Sequence, residues 1–103
     1  MRTFKTLDEY EENYFRTHPE EIDKYLDIIF EEYAKDRDLG ALLTSLRAVS
    51  RAQGITATAE SAGLSRKGLQ KALSKEGNPK FESVINILGA LGYKLVPEKL
   101  KHS

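Results

Sequence analysis

Apolar residues recur every three or four positions along most of the chain, which is the spacing of amphipathic α-helices. The clearest stripes run from Ile22 to Tyr33 and from Leu42 to Val49. A last stripe should form the buried face of a final helix and consists of Phe81, Val84, Ile85, Leu88 and Leu91. The pattern therefore predicts an all-α fold with a short extended segment at its C-terminal end.

Capping residues indicate where the first three helices begin. Thr6 starts a capping-box pattern, which predicts a short first helix. Pro19, followed by two glutamates, is typical of a first helical turn, and a second helix should continue to about Ala34. Asp38 can cap a third helix, Leu39 to Gln53.

Residues 56–74, TATAESAGLSRKGLQKALS, predict two short helices joined by a tight turn. Gly63 permits the left-handed backbone that ends the first helix, and Ser65 can cap the second. Ala59 is small enough for the two helix axes to approach closely. The side chains left outside are Arg66, Lys67, Gln70 and Lys71. This arrangement is typical of a helix-turn-helix that reads DNA.

The C-terminal part contains one last helix and an extended segment. Asn78 and Pro79 predict the N-cap and first turn of that helix, and Gly92 should end it. Tyr93 to Val96 alternate as a strand would, so they could pair with a second copy or with another protein. An extended segment lying across the core is the other interpretation. Residues 98–103 should form a flexible tail.

Charge divides the chain into two parts, although the net charge is zero. Residues 1–38 carry six basic and twelve acidic side chains, and residues 39–103 carry ten basic and four acidic ones. Chance could place opposite charges on two solvated surfaces. We favour a functional origin, because the basic part also contains the predicted helix-turn-helix.

Several classes of protein are disfavoured by composition. Without cysteine, neither a disulfide framework nor a thiolate zinc site is possible. The only histidines, His18 and His102, are far apart, and the carboxylates are scattered, so we predict no enzyme, cofactor or metal site. The N-terminus is too acidic for a signal peptide and no run is long enough to span a bilayer, so we expect a cytoplasmic protein.

The run LRAVSRAQGITATAESAGLSRKGLQKALSKEGNPKFESVINILGALGYKL resembles the helix-turn-helix antidote proteins of addiction modules. AGLSRKGLQKALS, GNPKFESVINIL and GALGYKL carry the resemblance over the C-terminal two thirds, and EEIDKYLDIIFEEYAKDRDLGALL is similar more loosely. Gln70 stands where an aromatic residue is common in the family, and the N-terminus is longer and more acidic. Such proteins are encoded beside a toxin of the RelE/ParE type.

The resemblance implies a lambda-repressor-like domain that binds an operator and an antitoxin that neutralises a toxin. We predict an acidic N-terminal helical extension for toxin binding or dimerisation over residues 1–37. A DNA-binding domain over residues 38–97 and the tail would follow. The alternative is a stand-alone or prophage-type repressor without a toxin, and a third possibility is a helical adaptor in which the helix-turn-helix is only a scaffold.

Roles on double-stranded DNA follow from residue type and position. Arg66 and Lys67 lie at the end of the helix that would enter the major groove, where arginine reads guanine, and Gln70 could read adenine one turn later. The predicted phosphate contacts are Ser65, Lys71, Thr56, Thr58 and Lys80. One such domain binds weakly, so we expect a homodimer formed by the last helix and residues 93–96, with the helix 22–33 as the other candidate surface.

The predicted toxin contacts lie on the second helix. Tyr25, Ile29 and Tyr33 recur at helical spacing beside many carboxylates, which would steer and face a basic partner. The same three side chains could instead pack on the third helix, and the sequence leaves both interpretations open.

Overall fold

A computed structural model describes residues 7–101, which form six α-helices and one 3-10 turn, Pro19–Glu21. The helices are α1 (Leu7–Thr17), α2 (Ile22–Asp36), α3 (Leu39–Gln53), α4 (Ile55–Ser61), α5 (Arg66–Ala72) and α6 (Phe81–Ala90). The predicted all-α fold class is confirmed. The predicted cap at Thr6 and the end of the tail lie outside the described residues.

Side chains cap the starts of α3 and α5. Asp38 caps α3 as predicted, because its carboxylate accepts a hydrogen bond from the Ala41 amide at 3.0 Å. The N-cap predicted at Asn78 is wrong. Lys80 still has an extended backbone, with φ −68° and ψ 154°, so the helical conformation begins only at Phe81.

One hydrophobic core joins the N-terminal helices to the rest of the chain. Phe15 of α1 and Leu26 of α2 belong to the same buried cluster as Leu43 of α3 and Leu69 of α5. Leu43 and Leu69 are completely buried. The first two helices therefore contribute to folding, and a function assigned to them has to be tested by point substitution and not by deletion.

The buried face of α6 differs in part from the predicted stripe. Leu88 and Leu91 are buried as predicted, whereas Phe81 is 72% exposed, so the prediction for Phe81 is wrong. Phe81 is the first residue of the helix, and packing on the core begins one turn later at Val84. Ile87, which the stripe omitted, is completely buried.

The segment after α6 is extended and lies against α2. Gly92, with φ 96°, ends α6: its amide donates to the Gly89 carbonyl at 3.0 Å and the Tyr93 amide to the Leu88 carbonyl at 2.8 Å. The Tyr93 hydroxyl donates to the carboxylate of Asp23 in α2. Within residues 7–101 this segment forms no strand, which favours the extended interpretation for a single chain. Strand pairing with a second copy stays a prediction.

Tyr93→Phe should remove a pH dependence of stability. Burial, then the hydrogen bond to Asp23, then the charges of Asp23 and Asp27 raise the pKa of Tyr93 from 10.0 to about 12. The folded state thus binds the proton of the Tyr93 hydroxyl more tightly than the unfolded state does. The stability that this proton contributes is fully present below pH 10 and is lost as the pH rises towards 12. Denaturant unfolding should show the variant less stable by about 1 kcal/mol at pH 8.

The difference in the free energy of unfolding between the wild type and Tyr93→Phe should become smaller as the pH is raised above 10. Tyr10→Phe, which changes an exposed ring, is the control. A constant difference across this pH range would contradict the assigned hydrogen bond.

Membrane-spanning helices and metal-binding clusters are both absent from residues 7–101. None of the helices between residues 7 and 101 is long and apolar enough to cross a bilayer. Over the same residues, no group of three or more histidine or carboxylate side chains is placed to hold a metal ion.

Candidate functional site

The turn between α4 and α5 forms a tight corner. Gly63 has a left-handed φ of 74°. Its amide donates to the Glu60 carbonyl at 3.1 Å, and the Leu64 amide donates to the Ala59 carbonyl at 2.9 Å. This pair of bonds is the Schellman arrangement that ends a helix at a glycine. Ala59 is only 2% exposed, as expected for a small residue where two helices approach.

Helix α5 presents a polar outer face over a buried inner face. Leu69 and the following Leu73 are completely buried. The exposed residues are the four predicted outer ones, Arg66, Lys67, Gln70 and Lys71. Ser65 caps the helix by accepting a hydrogen bond from the Gly68 amide at 2.9 Å, and it too is exposed. The structure thus brings five of the predicted DNA contacts together on and beside one short helix.

The other three predicted phosphate contacts have different surroundings. Thr56 and Lys80 are exposed. Thr58 is only 4% exposed, and its hydroxyl donates to the Gly54 carbonyl at 2.8 Å. Positions two apart on a helix point to different sides, so Thr56 and Thr58 cannot both face outward. We therefore leave Thr58 out of the proposed surface.

Two charged residues, one in α1 and one in α3, lie beside this surface, and sequence reasoning missed them. The Nε of Arg51, in α3, lies 3.0 Å from a carboxylate oxygen of Glu12, in α1, and the two side chains form an ion pair. Glu12 also accepts from Arg16 one turn later. Glu12 and Arg51 line one small cleft with Arg66 and Gln70 of α5. No local pattern marks this contact, because it joins helices that are far apart in sequence.

The three predicted toxin contacts pack on the core and stay partly accessible, and contact with a toxin stays a prediction. All three side chains, those of Tyr25, Ile29 and Tyr33, are half-buried and pack against the core. The ring centroids of Tyr25 and Phe15 are 4.4 Å apart. Ile29 and Tyr33 also line an open groove of about 250 Å³ between α2 and α3. The acidic residues lining that groove are Glu32, Asp36 and Asp38.

The fold and its surfaces define a small all-helical protein that presents a basic helix face and an acidic groove on one core. The comparison with known protein families is consistent with a protein that works by binding a partner. The chain belongs to the family described as "Probable addiction module antidote protein", whose model matches residues 6–99. An antidote is the antitoxin of a toxin–antitoxin module, so family membership indicates an antitoxin role and implies a toxin partner.

One relative and the structural comparison complete this picture. An uncharacterized protein of Haemophilus influenzae strain Rd is 40% identical over 75 residues, which are 73% of each chain. No solved structure matches the chain.

Proposed function

We propose that this protein is the antitoxin of a type II toxin–antitoxin module, that it neutralises a RelE/ParE-type toxin, and that it represses its own operon. Family membership supports the antitoxin role. The observation that carries the DNA-binding part is the outer face of α5, where Arg66, Lys67, Gln70 and Lys71 are exposed above completely buried leucines.

In this proposal the α4–α5 corner is a helix-turn-helix, and α5 is its recognition helix. Arg66 and Gln70 are one turn apart on the same side, so both can reach base edges in the major groove. Lys67 and Lys71 form the neighbouring row and contact phosphates, as do Thr56, Ser65 and Lys80. Phosphate contacts place the helix, and the base contacts give sequence preference.

A homodimer follows from the small size of this surface. Helix α5 has seven residues, which span about 10 Å and reach only a few base pairs. Two copies on a palindromic operator would double the contacts. The exposed side chains of Phe81, Val96 and Leu100, which are 72%, 64% and 78% exposed, support a dimer surface formed by α6 and the C-terminal segment.

The groove between α2 and α3 is the proposed toxin site. Ile29 and Tyr33 form its apolar lining, and three carboxylates surround them without a basic residue in the lining. An apolar groove with an acidic rim suits a basic segment of a partner. Tyr25, one turn before Ile29, would complete the contact while packing on Phe15.

Glu32→Lys should weaken toxin binding about tenfold or more, because it places a positive charge on the groove rim opposite a basic partner. Glu32 is exposed, so the fold should tolerate the change. The protein is co-expressed with the product of the neighbouring gene and purified through a tag on one of them, and the affinity of the complex is then measured. Glu20→Lys is the matched control, since Glu20 is exposed on the turn before α2 and does not line the groove.

The outcomes separate the alternatives. Wild-type protein that captures no neighbouring gene product would leave only the stand-alone repressor. A complex that Glu32→Lys and Glu20→Lys weaken equally would place the toxin elsewhere on the acidic surface.

A further inference from the structure

A carboxylate of the acidic N-terminal helix lies beside the proposed recognition helix. Glu12, in α1, forms ion pairs with Arg51 and with Arg16, and it accepts a hydrogen bond from Arg16. The Glu12 side chain is 19% exposed, against 36% for Arg51 and 52% for Arg16, so the acid lies below two more accessible guanidinium groups.

The same carboxylate borders the base-reading residues. Glu12 and Arg51 line a cleft of about 170 Å³ together with Ile55 and with Arg66 and Gln70 of α5. A DNA duplex bound to the outer face of α5 would therefore run close to Arg51. Phosphates flank every base that a recognition helix reads, so Arg51 is in position to meet the DNA backbone.

The chemistry of arginine lets Glu12 and a phosphate compete for one group. A guanidinium has five N–H donors, and in Arg51 the Nε faces Glu12 in an ion pair, 3.0 Å from a carboxylate oxygen. The remaining donors can bind phosphate. A phosphate on Arg51 would then lie near the negative charge of Glu12, which repels it and already neutralises part of the arginine charge.

We propose that Arg51 is a phosphate contact of the DNA-binding surface and that Glu12 competes with DNA for it, which lowers the DNA affinity of the free antitoxin. The inference rests on the proposed DNA binding by α5. It gives α1 a role beyond its part in the core. A carboxylate of α1 then influences how tightly the basic residues of α3 and α5 bind DNA.

The test is a double-mutant cycle on DNA binding. Glu12→Gln should raise the affinity about threefold to tenfold, both for a duplex carrying the operon's promoter region and for an unrelated duplex of equal length. Arg51→Ala should lower both affinities about threefold to tenfold and make the salt slope shallower by about 1. In the double variant, the gain from Glu12→Gln should largely disappear, because the group it frees is absent.

Three controls accompany the cycle. Glu31→Gln makes the same charge change at an exposed carboxylate that lines a different cleft, with Phe30 and Tyr93, and it should alter affinity by less than about twofold. Thermal unfolding of every variant establishes that it is folded. The double variant Arg66→Ala/Lys67→Ala reports whether α5 is the DNA-binding helix.

The outcomes are distinct from those of the proposed function. The competition is overturned if Glu12→Gln leaves the DNA affinity unchanged or lowers it, or if the effects of Glu12→Gln and Arg51→Ala are additive. In that case, loss of DNA binding in Arg66→Ala/Lys67→Ala would still support DNA binding by α5. Absence of DNA binding by the wild type overturns both proposals.

Discussion

The double variant Arg66→Ala/Lys67→Ala should bind a duplex carrying the operon's promoter region about 100-fold more weakly than the wild type. A bidentate arginine–guanine contact contributes about 1–3 kcal/mol, and a lysine–phosphate contact adds to it. Because every 1.4 kcal/mol or so is a factor of ten in affinity, the two losses together give this estimate. Both side chains are exposed, so the fold should not suffer.

Gel-shift titrations at several salt concentrations measure this effect. The salt slope should become shallower by about 1 for each lost phosphate contact. Lys24→Ala/Lys35→Ala is the matched control, because it removes the same charge from exposed positions in α2, away from the proposed DNA surface and from the C-terminal segment. Equal losses in the two double variants would mean that only net charge matters, and an unchanged affinity in the α5 variant would place the DNA surface elsewhere.

Gly77→Ala should destabilise the fold by about 3 kcal/mol, although it adds a single methyl group. A Cβ at this position would lie 2.4 Å from the Ala72 carbonyl oxygen and 3.0 Å from that of Lys71. Both atoms belong to the backbone at the end of α5, so neither can move away as a flexible side chain would. The loop that leads to α6 would have to shift, and α5 would lose its support.

Thermal or denaturant unfolding measures the loss, which corresponds to a drop in Tm of roughly 15 °C for a domain of this size. Gly89→Ala is the control: a Cβ there would meet nothing within 4 Å, and its position in α6 should make alanine stabilising by about 0.5 kcal/mol. If Gly77→Ala unfolds at the wild-type temperature, the close approach of the loop to α5 is wrong.

The position of Gly77 bears on function as well as on stability. The loop between α5 and α6 packs against the end of the proposed recognition helix, so a shifted loop would tilt α5 on the core. The same loop also lies close to α3 at Gly40, since a Cβ at Gly40 would be 2.9 Å from the Lys75 carbonyl oxygen. A side chain at either glycine would therefore force a shift in the backbone that follows α5.

Features governed by neighbouring residues could be predicted from the sequence. The spacing of apolar residues predicted the helices, and the structure places α3 over the same residues, Leu39–Gln53. Asp38 and Ser65 cap the helices that they were predicted to cap. The exposed polar face of α5 was predicted for the same reason, since a helix that buries Leu69 must turn the residues between its leucines outward.

Features that depend on where one helix lies against another could not be predicted in this way. Phe81 continues an apolar stripe, yet it is exposed. This exposure could not be predicted, because the helical spacing of apolar residues does not indicate where the neighbouring core ends. The contact between Glu12 and Arg51 joins α1 to α3, and no spacing along the chain indicates it. The half-buried state of Tyr33 likewise depends on how closely α2 lies to α3.

The sequence alone therefore determined the helical spacing, the caps at Asp38 and Ser65, the α4–α5 corner and the division of charge, because each can be identified from the residues without knowing how the helices pack. Tertiary structure alone decided that the acidic helices share the core, that Thr58 faces inward and that Glu12 lies beside the basic helix. The physical reason is that helix packing is set by the joint shape of several faces, which no single stretch of the chain contains.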